Sequence, residues 1–136
     1  MPRRAHLDAN VVLRLLVGDP PEMAARARIL FEGMERGEVT LVLDTIVVAE
    51  CVWTLRSYYR RSVPDVAGAM RELLLLPNLV AEERDSLITA LAWYESLGVD
   101  FVDALLAARM QAAGDRDVYS FDQHFDRLPS VKRLQP

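Results

Sequence analysis

The stretch Ala5-His-Leu-Asp-Ala-Asn-Val-Val-Leu-Arg-Leu-Leu-Val17 decides how the rest of the chain is interpreted. It predicts the end of a short strand at residues 5–8, followed at once by a short helix over residues 10–17. A strand that leads directly into a helix is typical of the start of an alternating α/β fold. Asp8 then stands at the carboxyl end of a strand, where open α/β sheets bind their ligands.

The same alternation continues to the end of the chain. The apolar pattern and the Gly and Pro positions predict further strands over residues 39–43, 79–81, 118–121 and 131–133. They predict further helices over residues 21–36, 45–59, 64–76, 85–97 and 100–113. Strands that alternate with helices pair in parallel through crossovers, so we expect an α/β sheet covered by helices on both faces.

The composition is that of a globular protein. Of 136 residues, 51% are apolar and 26% are charged, which excludes disorder, and the length suits one domain over residues 1–136. The single cysteine excludes an internal disulfide, and no apolar run approaches a membrane span. The N-terminus lacks the long apolar stretch of a signal peptide, so we expect a cytoplasmic protein. The net charge of −4 is not that of a typical nucleic-acid binder.

Three aspartates stand at the end of a predicted strand or at the start of a predicted helix. Asp8 ends the first strand, Asp122 follows the strand at residues 118–121, and Asp103 lies in the first turn of its helix. Each also has an ordinary structural interpretation, because acids commonly cap helices, stabilise their N-termini or form Asx turns.

Glu50 is harder to explain as a structural residue. It lies in the apolar segment Ile46-Val-Val-Ala-Glu-Cys-Val-Trp53, which predicts a helix buried on all sides. A buried carboxylate must be paired, protonated or bound to a metal. Arg56 is six positions away, outside the neighbour spacing of a helix, so a metal or a distant arginine is required.

Carboxylates that converge without histidine or cysteine form an oxygen-only site. Mg²⁺ and Mn²⁺ prefer such ligands, and these ions support phosphodiester hydrolysis. Cys51, beside Glu50 in the apolar helix, is expected to be inert core. His124 is expected on a surface turn rather than on a metal, and His6 is expected to be a satisfied strand residue.

Four motifs in order resemble those of PIN domains of the VapC type over nearly the whole chain. They are His6-Leu-Asp-Ala-Asn-Val-Val-Leu13, Thr45-Ile-Val-Val-Ala-Glu50, Asp100-Phe-Val-Asp-Ala-Leu-Leu-Ala-Ala108 and Ser120-Phe-Asp-Gln-His-Phe125. The resemblance implies a PIN-like three-layer α/β/α sandwich with a mostly parallel central sheet of four or five strands.

The resemblance also implies a function and a site. Asp8, Glu50, Asp103 and Asp122 would be the catalytic and metal-binding quartet, and Asn10 and Ser120 would support these ligands or orient a metal-bound water. Proteins of this type are Mg²⁺- or Mn²⁺-dependent endoribonucleases. They act on RNA, are usually silenced by a cognate antitoxin, and are often homodimers.

Other interpretations stay open at this stage. Many relatives carry an acid near position 124, where this chain has histidine, and Asp126 follows two positions later, so we expect no fifth acidic ligand. A phosphatase of the haloacid-dehalogenase type would need a second aspartate at position 10, which is Asn10. An RNA-processing PIN nuclease that is not a toxin, and a non-catalytic interaction module, are the remaining alternatives.

Overall fold

The computed structural model describes residues 1–136 and has five strands and six α-helices. The strands are β1 (Arg3–His6), β2 (Val39–Val42), β3 (Leu79–Val80), β4 (Asp117–Tyr119) and β5 (Lys132–Leu134). The helices are α1 (Ala9–Val17), α2 (Pro21–Glu35), α3 (Thr45–Ser57), α4 (Val63–Leu74), α5 (Arg84–Leu97) and α6 (Phe101–Ala113). Every strand and helix expected from the sequence is present. A short 3₁₀ helix at Gln123–Arg127 was not predicted.

The chain packs as two compact units, Met1–Glu82 and Glu83–Pro136. The first contains a parallel sheet in the order β1-β2-β3. Its register pairs Arg3 with Val39 and Leu41 with Leu79. The second unit contains β4 paired in parallel with β5. The α/β class and the parallel pairing are therefore confirmed, and the hydrogen bonds divide the strands into a sheet of three and a sheet of two.

In the first unit, α1 packs against α2 and α3, and α3 packs against α4. The sequence explains where these helices begin and end. Pro21 lies at the start of α2, where its missing N–H costs nothing. The Ser62 hydroxyl accepts a hydrogen bond from the amide of Asp65 at 3.2 Å and so caps α4. Gly18 ends α1 with φ +78°, a conformation that favours glycine. The core of this unit is apolar, with Val12, Met34, Leu41, Val48, Cys51, Met70 and Leu74 fully or almost fully buried.

The second unit is built on the contact between α5 and α6. Leu87 and Leu91 of α5 are completely buried, and the rings of Tyr94 and Phe101 meet edge to face with centroids 6.0 Å apart. Arg109 of α6 donates two hydrogen bonds of 2.7 Å to the carboxylate of Glu83, which precedes α5. This bidentate pair joins the two helices at a second point.

Leu91→Ala should lower the free energy of unfolding by about 2–5 kcal/mol, because it removes a fully buried side chain and leaves a cavity. Urea denaturation measures this loss. Leu75→Ala is the matched control, since the Leu75 side chain is 63% exposed, and it should change stability by less than about 0.5 kcal/mol. Equal losses in the two variants would contradict the described packing.

Candidate metal-binding carboxylates

Asp8 directly follows the β1 ladder. The amide of Leu7 donates to the carbonyl of Val42 at 2.9 Å, which extends the pairing of β1 and β2 by one residue. Asp8 is the N-cap of α1, and its carboxylate accepts a 3.3 Å hydrogen bond from the amide of Asn10. The capping role weighed from the sequence is therefore present. The carboxylate is nevertheless exposed, so its other oxygen lone pairs are open to a ligand.

Glu50 lies on α3 and is exposed, so the expectation that it is buried was wrong. Most residues of α3 on either side of Glu50 are apolar. Two of them, Ile46 and Trp53, are nevertheless 78% and 68% exposed and lie on the same side of the helix as Glu50. The apolar composition of α3 therefore does not mean burial on all sides. Its buried side consists of Val48, Cys51, Val52 and Leu55.

The chain neighbours of Asp8 and Glu50 pack against one another. Cys51 is completely buried, and its Sγ lies 4.0 Å from the carbonyl oxygen of Ala9. Burial first, then the charge of Glu50, then that of Asp8 raise the pKa of the Cys51 thiol to about 12. The negative charges of both carboxylates therefore act on the same thiol. Its complete burial places Cys51 in the core, and the raised pKa disfavours the reactive thiolate.

A third carboxylate stands at this edge of the sheet and was missed from the sequence. Asp44 follows β2 as Asp8 follows β1, and the amide of Leu43 extends the β2–β3 ladder to the carbonyl of Val80 at 2.8 Å. The rule about strand ends could have found it. Asp44 Oδ2 lies 2.8 Å from Nδ1 of His6, so this carboxylate already has a partner. His6 is a satisfied strand residue, as expected.

In the second unit, Asp103 lies in the first turn of α6 and is half-buried. Burial raises its pKa, and the charges of Asp100 and Asp122 raise it further, while His124 acts in the opposite direction. Asp100 is the N-cap residue of α6 as expected, but its side chain makes no capping hydrogen bond. Asp103 is therefore an acid whose ionised form is destabilised by its surroundings.

The turn that carries Asp122 is stabilised by its own side chains. Ser120 Oγ accepts a hydrogen bond from the amide of Asp122 at 2.9 Å, and Asp122 Oδ1 accepts one from the amide of His124 at 2.8 Å. The Nδ1 of His124 lies 3.0 Å from the same oxygen of Asp122. His124 is exposed, as predicted, but its contact with Asp122 was not foreseen from the sequence.

Arg133 of β5 holds this turn from its other side. Its side chain is only 12% exposed, and it donates to the carbonyl of Ser120 at 3.2 Å and to both carboxylate oxygens of Asp126 at 3.1 and 3.3 Å. Asp126 is therefore engaged by a guanidinium. That arrangement agrees with leaving Asp126 out of the ligand set. Nothing in the sequence singles out Arg133 for this role.

The carboxylates offer oxygen ligands of the kind that Mg²⁺ and Mn²⁺ prefer. In the first unit Asp8 and Glu50 both act on the Cys51 thiol, and in the second the charge of Asp122 acts on Asp103. No group of three or more His, Cys, Asp or Glu side chains in the structure is arranged to hold a metal ion. The donor chemistry fits a hard divalent cation, and assigning the quartet to one ion is a proposal.

Comparison with known proteins decides the family. The family model described as PIN domain matches residues 5–131, which includes parts of both units. The chain belongs to the PIN-domain family. PIN domains are generally nucleases and generally use divalent metals. None of the curated proteins matches the sequence.

One solved structure similar to this PIN domain is the crystal structure of VapBC2 from Rickettsia felis bound to a DNA fragment from their promoter. The two chains share 13% identity with a TM-score of 0.38, over 97% of this chain and 98% of that one. No helix of this PIN domain is long and apolar enough to cross a bilayer.

Asp103→Asn should stabilise the metal-free protein at neutral pH. A raised pKa means that the folded state binds the Asp103 proton more tightly than the unfolded state does. The parent should therefore lose stability as pH rises from the ordinary aspartate pKa of 3.8 through the raised pKa, and asparagine should remove that loss.

Urea denaturation of both proteins in EDTA, repeated across acidic and neutral pH, measures the difference between them. It should be largest above the raised pKa of Asp103 and should shrink toward lower pH. A difference that does not change with pH would mean that the Asp103 carboxylate is not destabilised in the folded protein.

Proposed function

We propose that this PIN domain is a Mg²⁺- or Mn²⁺-dependent endoribonuclease that hydrolyses phosphodiester bonds of RNA. The observation that supports the proposal is the packing of Cys51 on Ala9 in a chain of the PIN-domain family, because Glu50 and Asp8 are the chain neighbours of these two residues and both act on the Cys51 thiol. Adjacent carboxylates with no bound cation repel one another. A divalent ion held by Asp8 and Glu50 would offset such repulsion and would supply positive charge for an RNA phosphate.

We assign Asp8, Glu50, Asp103 and Asp122 as the residues that hold the metal. When bound, the ion would neutralise charge on the phosphate and lower the pKa of a water molecule. Asp103 suits this role because its surroundings disfavour its ionised form, so a cation would relieve an existing cost. The protein needs no covalent nucleophile, and Cys51 is excluded as one by its raised pKa.

Asn10 and Ser120 would support these ligands through backbone contacts. The amide of Asn10 donates to the Asp8 carboxylate, and the hydroxyl of Ser120 accepts from the amide of Asp122. The first contact holds the Asp8 carboxylate, and the second holds the backbone of Asp122. Supporting contacts of this kind orient metal ligands.

The choice of RNA as substrate rests on the resemblance of the four motifs to PIN domains of the VapC type. The same resemblance supports a toxin of a toxin–antitoxin pair that acts on RNA in the cytoplasm.

A groove of about 410 Å³ lies between α1 and α2 and suits a protein partner. Val11, Met23 and Leu30 provide its apolar lining, and Arg14 and Arg26 add positive charge. An acidic, amphipathic segment of an antitoxin would complement both properties.

We also propose that the protein is a homodimer. Val102 and Leu106 lie one turn apart on α6 and are 58% and 41% exposed. Apolar side chains that share an exposed face support association with a second copy. Size-exclusion chromatography with light scattering measures the mass directly, and a mass of 15.4 kDa at all concentrations would exclude the dimer.

The purified protein should cut single-stranded RNA in Mg²⁺ or Mn²⁺ and should not cut it in EDTA. Asp8→Asn and Glu50→Gln should each reduce the cleavage rate by more than about 100-fold, because even residues that only support metal ligands cost 10–100-fold. Incubation with total RNA, followed by mapping of new 5′ ends, measures both the rate and the position of cleavage.

Asp115→Asn is the matched control for these variants. It makes the same change of charge at an exposed aspartate outside the quartet and should cut at the parent's rate. Circular dichroism should show all three variants folded. Undiminished cleavage by Asp8→Asn would exclude the metal assignment, and binding of RNA without cleavage in any metal would favour an interaction module.

Expression of the parent should arrest bacterial growth, and expression of Asp8→Asn should not, because a toxin of this kind acts through RNA cleavage. Co-expression of the small protein from the neighbouring reading frame should restore growth. Growth curves with induced and uninduced plasmids measure the effect. RNA cleavage in vitro without growth arrest would indicate an RNA-processing PIN nuclease instead of a toxin.

A further inference from the structure

The segment that joins α3 to α4 differs in charge from the rest of the protein. From Cys51 to Pro64 the sequence contains three arginines and no acid, although the whole chain carries a net charge of −4. Arg56, Arg60 and Arg61 are all exposed. A local cluster of arginines on an acidic protein produces a positive patch, and such a patch can bind a polyanion.

Exposed aromatic rings accompany these arginines. Tyr58 is 74% exposed and Trp53 is 68% exposed. Tyr58 packs edge to face against Tyr59, with ring centroids 4.9 Å apart. This contact stabilises the Tyr58 ring while most of the side chain stays exposed to solvent. Aromatic rings combined with arginines form the stacking and phosphate-binding surfaces that bind single-stranded nucleic acids.

The conformation of this segment is held by hydrogen bonds. Arg56 Nη1 donates to the carbonyl of Arg61 at 3.2 Å, which closes the turn. The Tyr59 hydroxyl accepts a 3.1 Å hydrogen bond from Arg14 of α1. Arg60 has φ +55°, a left-handed conformation that residues other than glycine seldom adopt. The surface is therefore organised before any ligand arrives.

The segment also lies close to a proposed metal ligand. Trp53 follows Glu50 by three positions and so lies one turn further along the same side of α3. Arg56 and Tyr58 follow within two more turns, which places the segment roughly 10 Å beyond Glu50 along the helix axis. A single strand bound there would extend from Glu50 along α3.

We propose that Trp53, Arg56, Tyr58, Arg60 and Arg61, here termed the arginine–aromatic turn, bind single-stranded RNA. The inference rests on the proposed ribonuclease function and specifies how that substrate is held. The arginines contact phosphates, and the exposed rings stack on bases next to the scissile bond. Binding is strongest for unpaired RNA, because duplex bases are already stacked on one another.

The test measures binding in EDTA, so that it does not depend on metal or cleavage. Fluorescence anisotropy with a labelled single-stranded RNA gives affinity for the parent and for three variants over a range of salt concentrations. The variants are the double change Arg60→Ala with Arg61→Ala, and the single changes Tyr58→Ala and Tyr58→Phe. The double change Arg28→Ala with Arg116→Ala is the matched control, since both arginines are exposed and lie elsewhere.

We expect removal of Arg60 and Arg61 to weaken binding and to lower the slope of log affinity against log salt by about 1.4, since each phosphate contact on a single strand contributes about 0.7. Tyr58→Ala should weaken binding about tenfold, as loss of one stacking ring does. Tyr58→Phe should keep the parent's affinity, because it retains the ring. The control pair should keep the parent's salt slope.

Three results would overturn the inference. In the first, the arginine–aromatic variants bind RNA as tightly as the parent, or the control pair loses as much as they do. In the second, a polyglutamate peptide binds as well as RNA and is lost equally in Arg60→Ala with Arg61→Ala, which would indicate an acidic protein as the occupant. Equal affinity of the parent for duplex RNA would exclude stacking.

The outcome is separable from that of the proposed function. Metal-dependent cleavage together with unchanged RNA binding in the variants would leave the nuclease intact and remove the arginine–aromatic turn as its substrate surface. Loss of binding in the variants of a protein that never cuts RNA would establish the surface and refute the nuclease.

Discussion

The packing of α3 on α1 is the contact on which the candidate site in the first unit depends. Cys51 is buried against the carbonyl of Ala9, and each of these residues is the immediate chain neighbour of a proposed ligand. Because α1 begins directly after β1, this contact fixes Glu50 relative to the end of a strand. The small, buried side chain at position 51 therefore determines how closely α3 approaches the residue next to Asp8.

Charge is distributed unevenly over the chain, and the distribution agrees with the proposed metal-dependent cleavage of RNA. Asp103 is held where its ionised form is disfavoured, which a divalent ion would correct. The arginine–aromatic turn concentrates positive charge at the far end of α3 from the strand edge. An overall charge of −4 is thus compatible with the proposed RNA substrate, because the proposed cation and the local arginines would provide the attraction that the total charge lacks.

Several acids near the proposed ligands are already engaged by cationic or ring nitrogen groups. Asp44 meets His6, and Asp126 meets Arg133. Neither of these two acids belongs to the proposed ligand set. His124, in contrast, contacts Asp122, which is a proposed ligand, and its charge lowers the pKa of Asp103.

The sequence by itself determined the order of strands and helices, because apolar periodicity, prolines and capping residues act over a few neighbouring positions. It also identified Asp8 and Asp122 as acids at strand ends. Only the tertiary structure decided which helix faces are buried, and so it placed Glu50 on an exposed side of α3 and paired Arg133 with the Asp122 turn. Burial and long-range pairing depend on residues far apart in the chain, and local patterns contain no information about them.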